Sequence, residues 1–209
     1  MDGILISSLE SVERAWRKWA KLRGVDPDLT CKVAHGCRAS DTFAKLRPDL
    51  DPEEEIKIVE HSELTDHDDV HALPGALELL ATLPPDRWTV VTSARENVAR
   101  VRLKAGGIPM PPRIVAAEQV KRGKPYPDPF LAGAALLGFK PAECVVFEDS
   151  SSGAQAGRAA GCTVVATTYS HPIDTLDAAR YLITDLTGID MKALPDGEGL
   201  ILQFTPLPA

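Results

Sequence analysis

The 209-residue sequence has few cysteines, few aromatic residues and no excess of basic residues. None of its four cysteines stands in a CxxC pair, so buried reduced thiols are favoured over disulfides or a structural zinc site. The sequence also lacks an apolar run of membrane-spanning length and a signal-peptide pattern, which predicts a cytoplasmic protein with no membrane partner. A formal net charge of −7 at pH 7 argues against a nucleic-acid-binding protein.

The residues that are present have the composition of a globular protein. Apolar residues make up 44% of the chain and charged residues 25%, a balance that excludes a disordered polypeptide. The length is sufficient for one domain with an insertion or for two small domains. Residues 61–71 contain three histidines and four acids, but their irregular spacing favours a solvated helix end or loop over a metal site.

From Leu73 onward, helical patterns alternate with short β-branched strands up to about Thr184. Repeated βα units with short connections predict a Rossmann-like α/β fold, in which a parallel sheet carries helices on both faces. The predicted strands are residues 88–91, 113–117, 144–147 and 163–167, and the predicted helices are residues 75–83, 95–105, 128–137 and 152–160. Residues 9–72 show helical spacing without such strands. The predicted domains are therefore an α/β core of residues 1–8 and 73–209 and an inserted α-helical cap of residues 9–72.

Several residues of the predicted cap domain are typical of helix ends. Ser8 precedes apolar residues at helical spacing and Gly24 follows them, so we expect a first helix between the two. Ser40 or Asp41 is predicted to cap a second helix. Asp51, followed by proline and three acids, is a strong signal for the start of another.

Two adjacent acids stand at the end of the apolar residues 144–147, which predict a short buried parallel strand. Glu148 and Asp149 then lie at the carboxyl edge of the sheet, where open α/β folds bind ligands. Neighbouring carboxylates repel each other unless a cation or a proton lies between them, and Mg²⁺ prefers hard oxygen ligands. The alternative is an ordinary solvated strand end, at which Asp149 or Ser150 caps the next helix.

Polar groups stand at other predicted strand–helix junctions as well. Thr92 and Ser93 follow an apolar strand and precede a helix, where hydroxyl and amide groups form a site for an anion. Lys124 lies in the loop KRGKP, and Asp2 opens the chain. Taken singly, Thr92 and Ser93 would be a helix cap and Lys124 a solvated side chain. Because the carboxyl ends of parallel strands share one edge of the sheet, we expect these groups to lie near the acid pair.

The order of these motifs resembles the haloacid dehalogenase-like hydrolase superfamily, in the subgroup with a helical cap inserted after the first strand. That family has the motif D-x-D-G, a Thr or Ser after a strand, a lysine and an acidic pair. The matching positions in this sequence are Asp2, Thr92, Lys124, Glu148 and Asp149. The segments AHGCR, VKRGKPYPDPF and VVFEDSSSGAQAG are similar to the fungal 2-deoxyglucose-6-phosphate and glycerol-phosphate phosphatases. The resemblance covers essentially the whole chain.

The resemblance implies a role for each matching residue and Mg²⁺ as the cofactor. Asp2 would act as a general acid and base and would bind the metal through its backbone carbonyl, while Glu148 and Asp149 would bind it through carboxylates. Lys124 would also be catalytic, because it would stabilise the charge that grows on the phosphoryl group. The phosphate-binding residues would be Thr92, Ser93 and Lys124, and the substrate-binding residues of the cap would be His35 and Arg38. The alternative for the last two is a structural His-Gly turn beside a solvated arginine.

The sequence departs from the family at the first motif. The family's nucleophile is the first aspartate of D-x-D-G, and Met1 occupies the variable position that follows it, so the nucleophile would be the residue encoded before Met1. The first core strand, which precedes the nucleophile in the family, is also missing. We therefore expect an Asp codon immediately upstream, preceded by roughly four to six apolar codons, and we expect the 209-residue chain to be inactive and poorly stable.

The leading functional hypothesis is a Mg²⁺-dependent phosphatase of small phosphorylated sugars or polyols that acts through an aspartyl-phosphate. One alternative is a phosphosugar mutase that resembles β-phosphoglucomutase, and another is a non-catalytic, phosphate-binding regulatory relative. The expected partner is a small phosphorylated metabolite, and a monomer is expected.

Overall fold

The computed structural model describes residues 1–194 and 199–208. A short strand, β1 (Ile6–Ser7), leads into four helices that we call the helical segment. They are α1 (Leu9–Arg23), α2 (Pro27–Ala34), α3 (Ala39–Leu46) and α4 (Pro52–Thr65). Strand β2 (His71–Ala72) then pairs antiparallel with β1, so the two connections to the rest of the chain lie side by side. The role of this segment as a separate cap stays a prediction.

Both ends of α1 and the start of α4 lie where the sequence predicts them, whereas the predicted start of α3 is wrong. Helix α1 ends at Gly24, whose φ of 66° is easily reached by a residue without a Cβ. The Asp51 side chain caps α4 by accepting a hydrogen bond of 3.0 Å from an amide of the first turn. Neither Ser40 nor Asp41 caps α3, because this helix begins before both. The Asp41 carboxylate binds the guanidinium of Arg38 instead.

An aromatic cluster forms the core of the helical segment. The rings of Trp16, Trp19 and Phe43 are buried, with centroids 5.9, 5.4 and 5.0 Å apart. The indole N–H of Trp19 donates a hydrogen bond of 2.7 Å to the buried carboxylate of Glu55, which also accepts two hydrogen bonds of 2.8 Å from Arg23. Burial of each large side chain contributes about 1.5–3 kcal/mol, so the segment has a core of its own.

From Ala76 to Thr167 the chain alternates helices and strands in the predicted order, and three further strands follow. The elements are α5 (Ala76–Thr82), β3 (Val90–Val91), α6 (Glu96–Ala105), β4 (Ile114–Val115), α7 (Asp128–Leu137), β5 (Val145–Glu148), α8 (Ser151–Ala160), β6 (Thr163–Thr167), β7 (Tyr181–Ile183), β8 (Asp190–Ala193) and β9 (Leu200–Gln203). Short 3₁₀ turns lie at Ala117–Gln119, Pro141–Glu143 and Ile173–Thr175. No helix in the described part of the chain is both long and apolar enough to cross a membrane.

The parallel sheet is present but divided into two parts. β3 pairs in parallel with β4, and β5, β6 and β7 form a second parallel sheet. These pairings, with helices between the strands, confirm the α/β class. The antiparallel hairpin of β8 and β9 was not predicted.

A cavity of about 470 Å³, which we call the interstrand groove, separates the two parallel sheets. Val90 and Val91 of β3 line one side, and Val145 and Val146 of β5 line the other. Apolar residues of α5 and α7 also line it, including Leu79, Leu80, Phe130 and Leu137. Within residues 1–194 and 199–208, β3 pairs only with β4 and β5 only with β6. Both strands therefore have an unpaired edge next to an apolar cavity.

Candidate active site

A second cavity, of about 430 Å³, lies between the carboxyl ends of the parallel strands and the helical segment. We call it the site cavity. Every site residue predicted from the sequence lines it, namely Asp2, His35, Arg38, Thr92, Ser93, Lys124, Glu148 and Asp149. The structure therefore brings these residues together, and their chemical roles stay predictions.

Asp149 follows β5 and is nearly buried, with 8% of its surface exposed. Its Oδ2 atom accepts a hydrogen bond of 2.5 Å from Ser170 and lies 3.8 Å from Nε2 of His35. Burial raises the pKa of the Asp149 carboxyl, but His35, Ser170 and the terminal ammonium of Met1 lower it by more, so the net shift in this chain is downward. Gly3, with a φ of 68°, lies directly against this carboxylate, and a Cβ there would overlap it. Asp149 is thus held ionised in the cavity wall.

Glu148, the last residue of β5, forms a buried ion pair with Lys124. The lysine ammonium also lies 5.2 Å from the centre of the Phe130 ring, at the distance of a cation–π contact. The other carboxylate oxygen of Glu148 accepts hydrogen bonds from the amides of Asp149 and Ser150 and from the Ser150 hydroxyl. The Glu148 side chain therefore holds Lys124 in place, and its role as a metal ligand stays a prediction.

Thr92 and Ser93 lie between β3 and α6. The Thr92 amide donates a hydrogen bond of 2.9 Å to the carbonyl of Val115, so the pairing of β3 with β4 fixes its position. Oγ1 of Thr92 accepts a hydrogen bond of 3.1 Å from the Ala94 amide, and the Ser93 hydroxyl donates one of 3.0 Å to the Gly36 carbonyl. Thr92 thus stabilises its turn as an acceptor, and its hydroxyl can still donate a hydrogen bond to an anion in the cavity.

Asp2 has one carboxylate oxygen that is held in place and one that is free. Oδ1 accepts a hydrogen bond of 2.5 Å from Ser8 and lies 3.4 Å from a guanidinium nitrogen of Arg102 on α6. Ser8, the predicted cap of α1, makes no capping hydrogen bond. Arg102 also binds Glu63 of α4 at 3.1 Å. Among the described residues, nothing donates a hydrogen bond to Oδ2 of Asp2.

His35 and Arg38 lie in the connection between α2 and α3. The His35 ring packs edge-on against His171, with centroids 4.4 Å apart. Arg38 forms a two-point ion pair of 2.8 Å with Asp41 and donates hydrogen bonds to the carbonyls of residues 120–121. Arg38 thus connects the helical segment to the loop that precedes the buried lysine, and its contact with a substrate stays a prediction.

Sequence reasoning missed Ser170 and Glu63, which line this site, and His171 and Arg102, which contact its residues. Ser170 and His171 follow β6, and a polar residue after a strand is the same signal that identified Thr92 and Ser93. Burial and the neighbouring His35 lower the pKa of His171. Arg102 and Glu63 gave no signal, because each is one charged residue among several on its helix.

The groups around Asp149 suit a hard cation such as Mg²⁺. The Asp149 carboxyl is ionised, and its Oδ1 atom accepts no hydrogen bond from the residues that the structure describes. Asp2 lines the same cavity, and oxygen ligands of this kind are those that Mg²⁺ prefers. No group of three or more His, Cys, Asp or Glu side chains that could hold a metal occurs in residues 1–194 and 199–208. The residues present would fit part of an oxygen ligand set, and their role as metal ligands stays a prediction.

Residues 61–71 carry ion pairs in the described structure. Asp66 and Asp69 both bind Arg14 of α1, at 2.7 and 2.9 Å. These acids connect the end of α4 to α1, so this stretch contains the helix end and loop that were predicted.

Comparison with known proteins identifies a family, relatives and similar structures. A model of the family described as haloacid dehalogenase-like hydrolase matches residues 1–167. The chain is 41% identical over 208 residues to hexitol phosphatase A of Escherichia coli (strain K12), which covers 96% of this chain and 95% of that protein. It is 33% identical over 189 residues to glycerol-1-phosphate phosphohydrolase 1 of Saccharomyces cerevisiae, covering 84% and 75% of the two chains. The crystal structure of a hydrolase from Pseudomonas syringae matches with a TM-score of 0.79 and 27% identity, covering 89% and 91%.

Proposed function

The chain belongs to the haloacid dehalogenase-like hydrolase family, and on this premise we propose that it is a Mg²⁺-dependent phosphatase of small phosphorylated sugars or polyols. The observation that carries the proposal is the site cavity, where a buried lysine, strand-end hydroxyls and an ionised aspartate lie together. Such groups bind phosphoryl oxygens and the metal that offsets their charge. The names of the two relatives support a sugar or polyol ester as the substrate.

Lys124, Thr92 and Ser93 would bind the phosphoryl group. The ion pair with Glu148 fixes the Lys124 ammonium beside the cavity, so little reorganisation is needed when the substrate binds. The Thr92 hydroxyl and the amides before α6 would donate hydrogen bonds to the remaining oxygens. Because charge on these oxygens grows in the transition state, such fixed donors stabilise it more than the ground state.

Asp2 would act first as a general acid and then as a general base. In the first step, a bond forms between phosphorus and the nucleophile carboxylate that the resemblance places before Met1. The bond from phosphorus to the substrate oxygen breaks, and Asp2 gives a proton to that oxygen. In the second step, a water oxygen bonds to phosphorus, the aspartyl bond breaks, and Asp2 recovers a proton from the water. The free Oδ2 atom of Asp2 supports this role.

Asp149 is the main candidate for a metal ligand, together with the backbone carbonyl of Asp2 and, as a weaker candidate, Glu148. Mg²⁺ would offset the negative charge of the phosphoryl group when bound. Ser170 and His35 contact Asp149, and they would orient the carboxylate as outer partners of a metal ligand do.

The helical segment would act as a cap that selects the substrate. Its acids on the cavity wall include Glu13, Glu60 and Glu63. These acids are paired with arginines, Glu60 with Arg95 among them, and Arg38 is paired with Asp41. A wall whose arginines are already paired with carboxylates favours hydroxyl groups over a second anionic group. A phosphorylated polyol or sugar, with one anionic end and one hydroxyl-bearing end, fits this distribution of charge.

The interstrand groove supports a second part of the proposal, that the active protein has one more strand than these 209 residues provide. A strand in the groove would pair with β3 and β5 at once and would cover the apolar residues of α5 and α7. Met1 lines both the groove and the site cavity. A strand leading into Met1 would therefore place the residue before it at the site, and we propose that the 209-residue chain is inactive without that residue.

Phosphate release tests both parts of the proposal. The sequence upstream of Met1 is read in frame, and an Asp codon is expected immediately before it. The protein extended by these codons should release phosphate from hexitol phosphates or glycerol phosphate and should lose this activity with EDTA, while the 209-residue chain should release none. A stop codon or a non-acidic residue at that position would refute the proposal that a nucleophile precedes Met1. It would instead favour a non-catalytic, phosphate-binding relative.

A phosphosugar mutase is the second candidate, since it would use the same phosphate and metal groups. The products distinguish the two: a phosphatase releases inorganic phosphate and the free sugar, whereas a mutase returns an isomeric sugar phosphate. Isomerisation faster than phosphate release would exclude the phosphatase as the main activity.

A further inference from the structure

A buried arginine outside the predicted site connects Asp2 to the helical segment. Arg102 lies on α6 with 3% of its surface exposed. One terminal nitrogen lies 3.4 Å from Oδ1 of Asp2, and the other lies 3.1 Å from Glu63 of α4. Its Nε atom is buried without a hydrogen bond among the described residues.

A structural role in packing does not account for a charged group at this position. Removing a guanidinium from water is costly unless carboxylates offset its charge, and the unpaired Nε adds to that cost. An apolar side chain on α6 would fill the same space without either penalty. Both partners of Arg102 line the site cavity, Asp2 before β1 and Glu63 on α4. The location of the two partners points to a role at the site.

We propose that Arg102 is a positioning residue for Asp2, and that Glu63 sets how Arg102 binds it. This inference rests on the proposed function of Asp2 as the general acid. Arg102 and Ser8 hold Oδ1 of Asp2, which leaves Oδ2 to carry the proton to the leaving oxygen.

Glu63 limits the number of hydrogen bonds that Arg102 can donate to Asp2. Arginine and carboxylate groups tend to form two parallel hydrogen bonds, and such a pair with Asp2 would occupy Oδ2 as well as Oδ1. In the structure Glu63 takes one of the terminal nitrogens, so Arg102 has a single contact with Asp2 at 3.4 Å. Since Glu63 belongs to the helical segment, Oδ2 becomes free for proton transfer only when this segment lies against the core.

The dependence of hydrolysis on the leaving group tests this role. Glycerol 1-phosphate releases an alkoxide, which needs a proton from a general acid, whereas p-nitrophenyl phosphate releases a stable phenolate, which does not. The experiment uses the full-length protein, including the residues encoded before Met1, and the variants Arg102→Met and Glu63→Gln. Each should lower the single-turnover rate of glycerol release from glycerol 1-phosphate by about 10–100-fold, a part of the 10²–10⁴ that general acids supply. The same variants should change the single-turnover rate of p-nitrophenol release by less than about 3-fold, because this leaving group needs no proton. First-turnover rates are compared because kcat also contains the hydrolysis of the aspartyl-phosphate, in which Asp2 would act as the base for both esters.

Arg100→Met is the matched control, because Arg100 lies on the same helix and pairs at the surface with Glu96. It should leave both rates unchanged. Arg102→Met leaves Glu63 buried without its cation, so the double variant Arg102→Met/Glu63→Gln removes both charges and should show the same selective loss. Thermal unfolding establishes that each variant is folded.

Equal losses on both esters in folded variants would overturn the positioning role, as would full activity on glycerol 1-phosphate. If the full-length protein without substitutions hydrolysed neither ester, the proposed function would be refuted, and this inference would be refuted with it.

Discussion

Replacing Lys124 with methionine removes one charge of the buried pair and nearly conserves the volume of the side chain. Both partners are shielded from water, with side-chain exposures of 7% for Lys124 and 6% for Glu148. Removal of one partner of a buried pair costs about 3–5 kcal/mol of unfolding free energy. Glu148 keeps its hydrogen bonds from Asp149 and Ser150, so we expect a loss of about 3 kcal/mol, at the lower end of that range.

The reciprocal variant, Glu148→Gln, leaves the lysine cation buried against Phe130 and should cost a similar amount, about 3 kcal/mol. The double variant, Lys124→Met/Glu148→Gln, leaves no unpaired charge and should lose less than the sum of the single variants. The difference is the coupling energy, which we expect at about 2–3 kcal/mol for groups in direct contact.

Urea unfolding of the four proteins at pH 7 measures these values, with inorganic phosphate as a second variable. Phosphate should stabilise the unmodified protein, because it binds the folded state, and it should not stabilise Lys124→Met. Lys57→Met is the control, since Lys57 pairs with Glu54 in solvent and its removal should leave the unfolding free energy unchanged within error. Strictly additive losses, or a Lys124→Met variant as stable as the control, would refute the reasoning.

Three other outcomes are expected. Asp149→Ala in the extended protein should lower turnover by about 10²-fold or more, because charge compensation at the phosphoryl group is lost; phosphate release titrated with Mg²⁺ measures this, and near-normal turnover would contradict the metal assignment. Burial raises the pKa of Glu55, but Arg23 and Trp19 lower it by more, so its stabilising contribution is present above the ordinary pKa of about 4.3 and is lost as pH falls through the lowered value. The Glu55→Gln variant should therefore lose less unfolding free energy between pH 7 and pH 3 than the unmodified protein does, as measured by urea unfolding at both pH values. An equal loss in the two proteins would contradict this account. Arg38→Ala should reduce kcat/KM more for hexitol phosphates than for p-nitrophenyl phosphate, and equal losses would place Arg38 in general structure.

The alternation of helices and strands was predicted correctly where the residues of each element had a clear pattern of their own. The predicted helix at residues 128–137 and the predicted strand at 163–167 have the observed bounds of α7 and β6. Helix α2 was missed although Asp26 caps it and Pro27 begins it, the same signal that was used at Asp51. The separation of β3 from β5 agrees with the expectation of a missing core strand.

The site was predictable to the extent that its groups follow strands. Asp149 and Lys124 could be grouped because the carboxyl ends of parallel strands meet at one edge. The pairing of Arg102 with Glu63 joins two helices that are distant in sequence, and periodicity shows only that a helix residue is polar, not which partner it meets. The contact of Arg38 with a substrate stays a prediction, and its ion pair with Asp41, three residues later in the chain, was not predicted.

The pairing of β1 with β2 limits the ways in which the helical segment can move. Two free linkers would allow it to translate and twist independently of the core, whereas two hydrogen-bonded strands act as one axis and leave mainly rotation about it. Asp2 precedes this axis and would remain with the core, while Glu63, on the other side, would travel with the helices. A single rotational degree of freedom would then separate Glu63 from Arg102 at the same time as it opened the cavity to solvent.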